Sequence, residues 1–110
     1  MNVREKLNRR LEEHYRGQGW PVVRGDDGVL HASGPGGVTW LGAAIVEEDL
    51  AAENIGNRIV DLAERRMPKG GELCPLDLLA SEDSEPGLRE LLERTGLSAR
   101  PHVSVYSEAA

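Results

Sequence analysis

The stretch Val38-Thr39-Trp40-Leu41-Gly42-Ala43-Ala44-Ile45-Val46 decides how the chain folds. It is entirely uncharged, is entered through Ser33-Gly34-Pro35-Gly36-Gly37 and is left through Glu47-Glu48-Asp49. An apolar run of this length between turn signals, with β-branched and aromatic residues in it, reads as a strand covered on both faces. It therefore belongs at the centre of a sheet, and the flanking segments must supply its neighbours and its covers.

Upstream, Val3, Leu7, Leu11 and Tyr15 recur every fourth residue, which places them on one face of a helix over 2–16 with His14 beside them. Gly17-Gln18-Gly19 stops that helix. Trp20-Pro21-Val22-Val23 reads as a first strand, Gly25-Asp26-Asp27-Gly28 as a turn, and Val29-Leu30-His31-Ala32 as a second strand, since an Asp-Gly pair between apolar runs signals a hairpin. Residues 20–46 are thus predicted to form a three-stranded antiparallel meander. Downstream, one main helix is expected over 49–67, with acids at its start, Arg65 and Arg66 at its end, and Pro68 and Gly70-Gly71 as its stop. Gly56 inside it suggests a close approach to the strand below. Leu73 to Ala80 is read as a fourth strand with an irregular or edge start at Pro75, Pro86–Thr95 as a short helix closed by Gly96, and Pro101–Tyr106 as a half-exposed strand. The expected fold class is α/β (α+β): order α-β-β-β-α-β-α-β, a mixed five-stranded sheet with helices packed on it, in a single domain over 1–110.

Composition bounds the function. The 110 residues carry 39% hydrophobic and 29% charged side chains and no Phe, as expected of an ordered globular domain with an aliphatic core. No apolar stretch is long enough for a membrane helix, the first residues lack a signal-peptide core, and Cys74 is the only cysteine, so a cytoplasmic location is expected. Residues 1–24 hold six basic and three acidic side chains, which leaves −9 on the remainder from a total of −6. Phosphate-backbone binding needs clustered Lys and Arg, so general nucleic-acid binding is disfavoured.

The element order, together with the segments 11–23 and Leu76-Asp77-Leu78-Leu79-Ala80, resembles the restriction-endonuclease-like PD-(D/E)XK nuclease superfamily. That resemblance implies an opening helix, a meander, a helix and a fourth strand. It also implies a divalent metal held by an acid near the second strand and by an acid on the third, followed two residues on by a lysine. Here only Asp27, or Asp26, matches the first acid, and the third strand offers neither acid nor lysine. The implication is a scaffold whose nuclease site has degenerated, because fold does not dictate function.

Other candidate groups have plain structural readings. Asp26 and Asp27 fit turn chemistry, and Glu47, Glu48 and Asp49 a solvated helix start. His14, His31 and His102 show no metal-ligand spacing; His31 is of most interest, lying near Asp26 and Asp27. Cys74 reads as a small hydrophobe, Gly34-x-Gly36-Gly37 as a hairpin turn rather than a phosphate loop, and Leu88-Arg89-Glu90-Leu91-Leu92 as an amphipathic helix that also fits an LxxLL docking pattern. The resulting expectation is a non-catalytic interaction or regulatory module with no cofactor, pairing with a protein partner or with itself as a homodimer. Self-association rests on the two tryptophans and on the edge candidate at 101–106, and Arg9, Arg10 and Arg16 are the candidate partner-binding side chains. The alternatives are a metal-dependent nuclease with a migrated site, with Asp27, His31, Asp77 or Glu47 as candidates, and a nucleic-acid-binding module using the basic first helix.

Overall fold

The computed structural model describes residues 2–68 and 70–109. Helix α1 (Val3–Gly17) starts where the Asn2 side chain accepts the Glu5 N–H at 2.8 Å. Strand β1 (Val22–Arg24), β2 (Leu30–Ser33) and β3 (Thr39–Ile45) form the antiparallel meander. Helices α2 (Glu47–Ala51) and α3 (Ile55–Ala63) then lead to β4 (Leu76–Ser81), α4 (Glu85–Thr95) and β5 (Val103–Glu108). The five strands lie in the order β1-β2-β3-β4-β5, with β3, β4 and β5 mutually parallel, so the uncharged ribbon is the middle strand as expected.

Strand alternation divides the core into two layers. Leu41, Ala43 and Ile45 of β3 and Leu76, Leu78 and Ala80 of β4 pack against Ile55, Ile59 and Leu62 of α3 and Leu88, Leu91 and Leu92 of α4. On the other face Ala44 and Leu79 meet Leu7, Leu11 and Tyr15 of α1. The LxxLL leucines are therefore core contacts, each nearly inaccessible, and do not form a docking face. Cys74 is likewise buried in the α3 and α4 layer, where desolvation raises its pKa against the pull of Arg65, so it packs as an apolar thiol.

Strands β1 and β5 start two residues later than expected, at Val22 and Val103, and three other boundaries differ more deeply. The helix expected over 49–67 is two helices, because Ala52 is extended (ψ 134°) and the chain turns before Ile55. Local propensity favours a continuous helix. The short first helix of the pair is anchored by Asp49, which is buried and takes the Val46 N–H at 2.9 Å and the Arg4 guanidinium at 2.8 Å, tying α2 to α1. Helix α3 then stops at Ala63, and Arg65 and Arg66 lie in a tight return in which Arg66 bridges Leu73 and the Cys74 N–H reaches the Arg65 carbonyl. The fourth strand accordingly starts only at Leu76. It is interior rather than an edge, and the Pro75 carbonyl accepts the Leu41 N–H at 2.9 Å.

The close approach to the strand below that was expected at Gly56 is not found. A Cβ there would meet Leu91 and Thr95 of α4 at 3.6 and 3.7 Å, ordinary contact distances, and no strand atom among the described residues lies within 4 Å. Gly56→Ala should therefore fit without strain and raise stability by about 0.5–1 kcal/mol, read as an upward shift of the urea midpoint at unchanged m-value.

Candidate functional site

The face of the sheet beneath α1 carries its polar chemistry at one point. Gly42 of β3 and Asp77 of β4 are register partners, and both side-chain positions face α1. A Cβ on Gly42 would lie 2.9 Å from the Tyr15 hydroxyl and 3.1 Å from Cε2, so glycine is what lets the phenol descend onto the sheet. From there Tyr15 Oη donates to Asp77 Oδ2 at 2.7 Å. Tyr15 also stacks on Trp20 at 6.1 Å between ring centroids, and Trp20 lies tilted by 34° against Trp40 at 5.4 Å. The two tryptophans are partly buried in that stack and offer no separate adhesive patch.

Asp77 is only 5% exposed. Desolvation raises its pKa, and the hydrogen bond from Tyr15 and the nearby His14 offset this in part. Burial, with the charge and hydrogen bond of Asp77 and the neighbouring Tyr106, holds the Tyr15 phenol protonated far above its ordinary range. Asp77 forms the floor of a cleft of about 260 Å³ between α1 and the strand pair β4 and β5, lined also by Arg10, Leu11, His14, Leu79, Tyr106, Ser107 and Glu108. Arg10 closes one side by pairing through Nε with Glu108 at 3.3 Å. His14 stands within 3.3 Å of Gln18 Nε2.

Of the sequence candidates, Asp27 and His31 do approach each other, at the far rim and against the opposite face. A Cβ on Gly25 would sit 3.0 Å from Asp27 Oδ1 and 3.3 Å from His31 Nε2. Asp27 is nonetheless occupied, accepting the Val29 N–H at 3.0 Å and Arg65 at 3.0 Å. Desolvation pushes its pKa up, but these bonds and the charge of Arg65 bring it below the ordinary value. Asp77 lies on the other face of the sheet, and Glu47 opens α2 in solvent, so Asp27, Glu47 and Asp77 do not converge. Among the described residues no group of three or more His, Cys, Asp or Glu side chains is placed to hold a metal ion. His102 Nε2 donates to the Ala63 carbonyl at 2.8 Å. Gly36 and Gly37, at φ 71° and 77°, belong to a short turn into β3, as read from the sequence. On α1, Arg16 reaches the Val22 carbonyl, Arg10 pairs with Glu13 and Glu108, and Arg9 is exposed.

No protein-family model, curated protein or solved structure matches this chain. The site therefore has to be read from its own geometry. What the residue-by-residue reading missed is the coupling of Tyr15, Gly42 and Asp77. Its signals were present as one acid inside the apolar run Leu76–Ala80 and one glycine inside the central strand.

The raised pKa of Asp77 sets a sign. Its protonated form favours the fold, a contribution fully present below the ordinary aspartate value and lost as pH rises through the folded value. Asp77→Asn keeps an acceptor for Tyr15 and removes the charge, so it should raise the thermal midpoint at neutral pH, with the gain shrinking as the pH falls into the acid range. Tyr15→Phe, which leaves the carboxylate without its donor, should destabilise by about 1–3 kcal/mol at neutral pH. Gly42→Ala should displace the phenol and destabilise by about 1–3 kcal/mol in urea unfolding.

Proposed function

We propose that this chain is a non-catalytic interaction module, built on a degenerate nuclease-like scaffold, whose partner is a second copy of itself. The observation that carries the reading is the asymmetry of the two sheet edges. Strand β1 is three residues long and ends at Arg24, which pairs with Glu5 and Glu12 of α1. Short, charged edges resist further pairing. Strand β5 runs for six residues, Val103-Ser104-Val105-Tyr106-Ser107-Glu108, with no proline or lysine, and Tyr106 is 55% exposed.

The pairing geometry supports the same reading. Leu76 N–H bonds to the His102 carbonyl and Glu82 N–H to that of Glu108, so the even-numbered backbone groups of β5 face β4. The odd-numbered groups point outward; the Val103 N–H turns back to Arg100, while Val105 and Ser107 stay open at the edge. A two-fold axis at Val105 would set the two β5 strands antiparallel, joining two sheets into one of ten strands. The lack of acid and lysine in Thr39–Ile45 favours a scaffold role over phosphodiester cleavage.

Sedimentation over a concentration series should show a reversible dimer. Ser107→Pro removes an outward N–H and no bond to β4, so it should shift the equilibrium to monomer while preserving the fold by circular dichroism. A parent protein that stays monomeric at the highest attainable concentration would overturn the proposal.

A further inference from the structure

We infer that the cleft between α1, β4 and β5 is a binding site for a small organic cation, an ammonium or amidinium group carried on a flat apolar body. The inference stands whether or not the chain self-associates, because every lining residue comes from one copy. It starts from the two acids buried among the described residues, Asp49 at 7% and Asp77 at 5% exposure. Asp49 is compensated by Arg4 at 2.8 Å, Arg58 at 3.7 Å and the Val46 N–H at 2.9 Å. Asp77 has one donor among the described residues, the neutral hydroxyl of Tyr15 on Oδ2. A carboxylate this deep, held by one neutral donor and with only His14 otherwise offsetting its burial, is less well compensated than Asp49. A cation entering the cleft would supply what the fold leaves out.

The walls define the rest of the ligand. Leu11 and Leu79 offer apolar contact, and Tyr106 presents an exposed aromatic ring at the mouth, suited to stacking or to a cation over its face. The volume of about 260 Å³ is slightly below the ~300 Å³ at which ligand clefts ordinarily begin, which limits the occupant to a small molecule. An anion fits less well. Arg10 is already engaged by Glu108 at 3.3 Å and Glu13 at 3.9 Å, and the cleft it borders also carries the acids Asp77 and Glu108. Tyr15 adds preorganisation by holding Oδ2 at 2.7 Å, and Oδ1, which has no donor among the described residues, is left for the incoming N–H groups.

The test is a titration of the isotope-labelled protein by NMR near neutral pH with benzamidinium and phenethylammonium ions, and with neutral benzamide as the control. Saturable shifts centred on Asp77 and Tyr106 are expected for at least one cation and not for benzamide. Asp77→Asn, which retains the acceptor for Tyr15, should weaken that binding about tenfold or more. Tyr106→Ala, on the exposed rim where folding is not at stake, should weaken it about threefold. No saturation with either cation would overturn the inference. So would equal binding of benzamide, or affinity unchanged in both variants.

Discussion

A phenol donating to a carboxylate across a glycine is the constraint on which the architecture of this protein depends. Tyr15 can reach Asp77 only because Gly42 has no side chain, and Gly42 sits directly beside Asp77 only because β3 and β4 run parallel in that register. The bond fixes where the last turn of α1 rests on the sheet, and with it the stack of Tyr15, Trp20 and Trp40 that covers the meander. It also fixes the cleft, since the turn of α1 preceding Tyr15 supplies Arg10, Leu11 and His14 as one wall. A hydrophobic core alone would hold the helix to the sheet without specifying this position, and the directional bond adds what packing leaves loose.

The two faces of the sheet are finished differently. Beneath α3 and α4 the side chains are almost wholly aliphatic, and even the thiol of Cys74 is absorbed. Beneath α1 the residues are small or polar at the places where chemistry can occur, Gly42, Ala44 and Asp77 among them. Since α1 lies over β2, β3 and β4, the polar face of β5 is left open beside it, and α4 covers the opposite side. The cleft is a consequence of that face being capped by one helix, and the unpaired edge of β5 being the outermost strand.

Much of this was legible in the sequence, for identifiable reasons. The absence of charge from 38–46 places that ribbon at the centre, and the fourfold spacing of Val3, Leu7, Leu11 and Tyr15 gives α1 its buried face. Pro86 and Gly96 bracket α4, where Pro occupies the first turn and Gly96 takes φ 79° at the end. The break at Ala52 was hard to read, because Ala51-Ala52-Glu53 favours a continuous helix and the one local signal is Asn54, the N-cap of α3; the tie that anchors α2, from Asp49 to Arg4, spans 45 residues. The site was hidden in the same way. Tyr15 and Asp77 are 62 residues apart, and each has a sufficient local explanation, one as a core aromatic and the other as a strand acid. Asp27 and His31 attracted notice because they are near in sequence, yet Asp27 is satisfied by Val29 and Arg65. Proximity along the chain favoured the pair that is already neutralised over the acid that is not.

The burial of an incompletely compensated carboxylate under Tyr15 is the claim from which the rest follows, and it can be measured at the atom concerned. Titration of the Asp77 side-chain carboxyl carbon by NMR in the free protein should show a midpoint above the ordinary aspartate range, moving higher still in Tyr15→Phe as the donor is lost. A midpoint at or below that range in the parent protein would mean that Asp77 is already well paired, and would contradict the account.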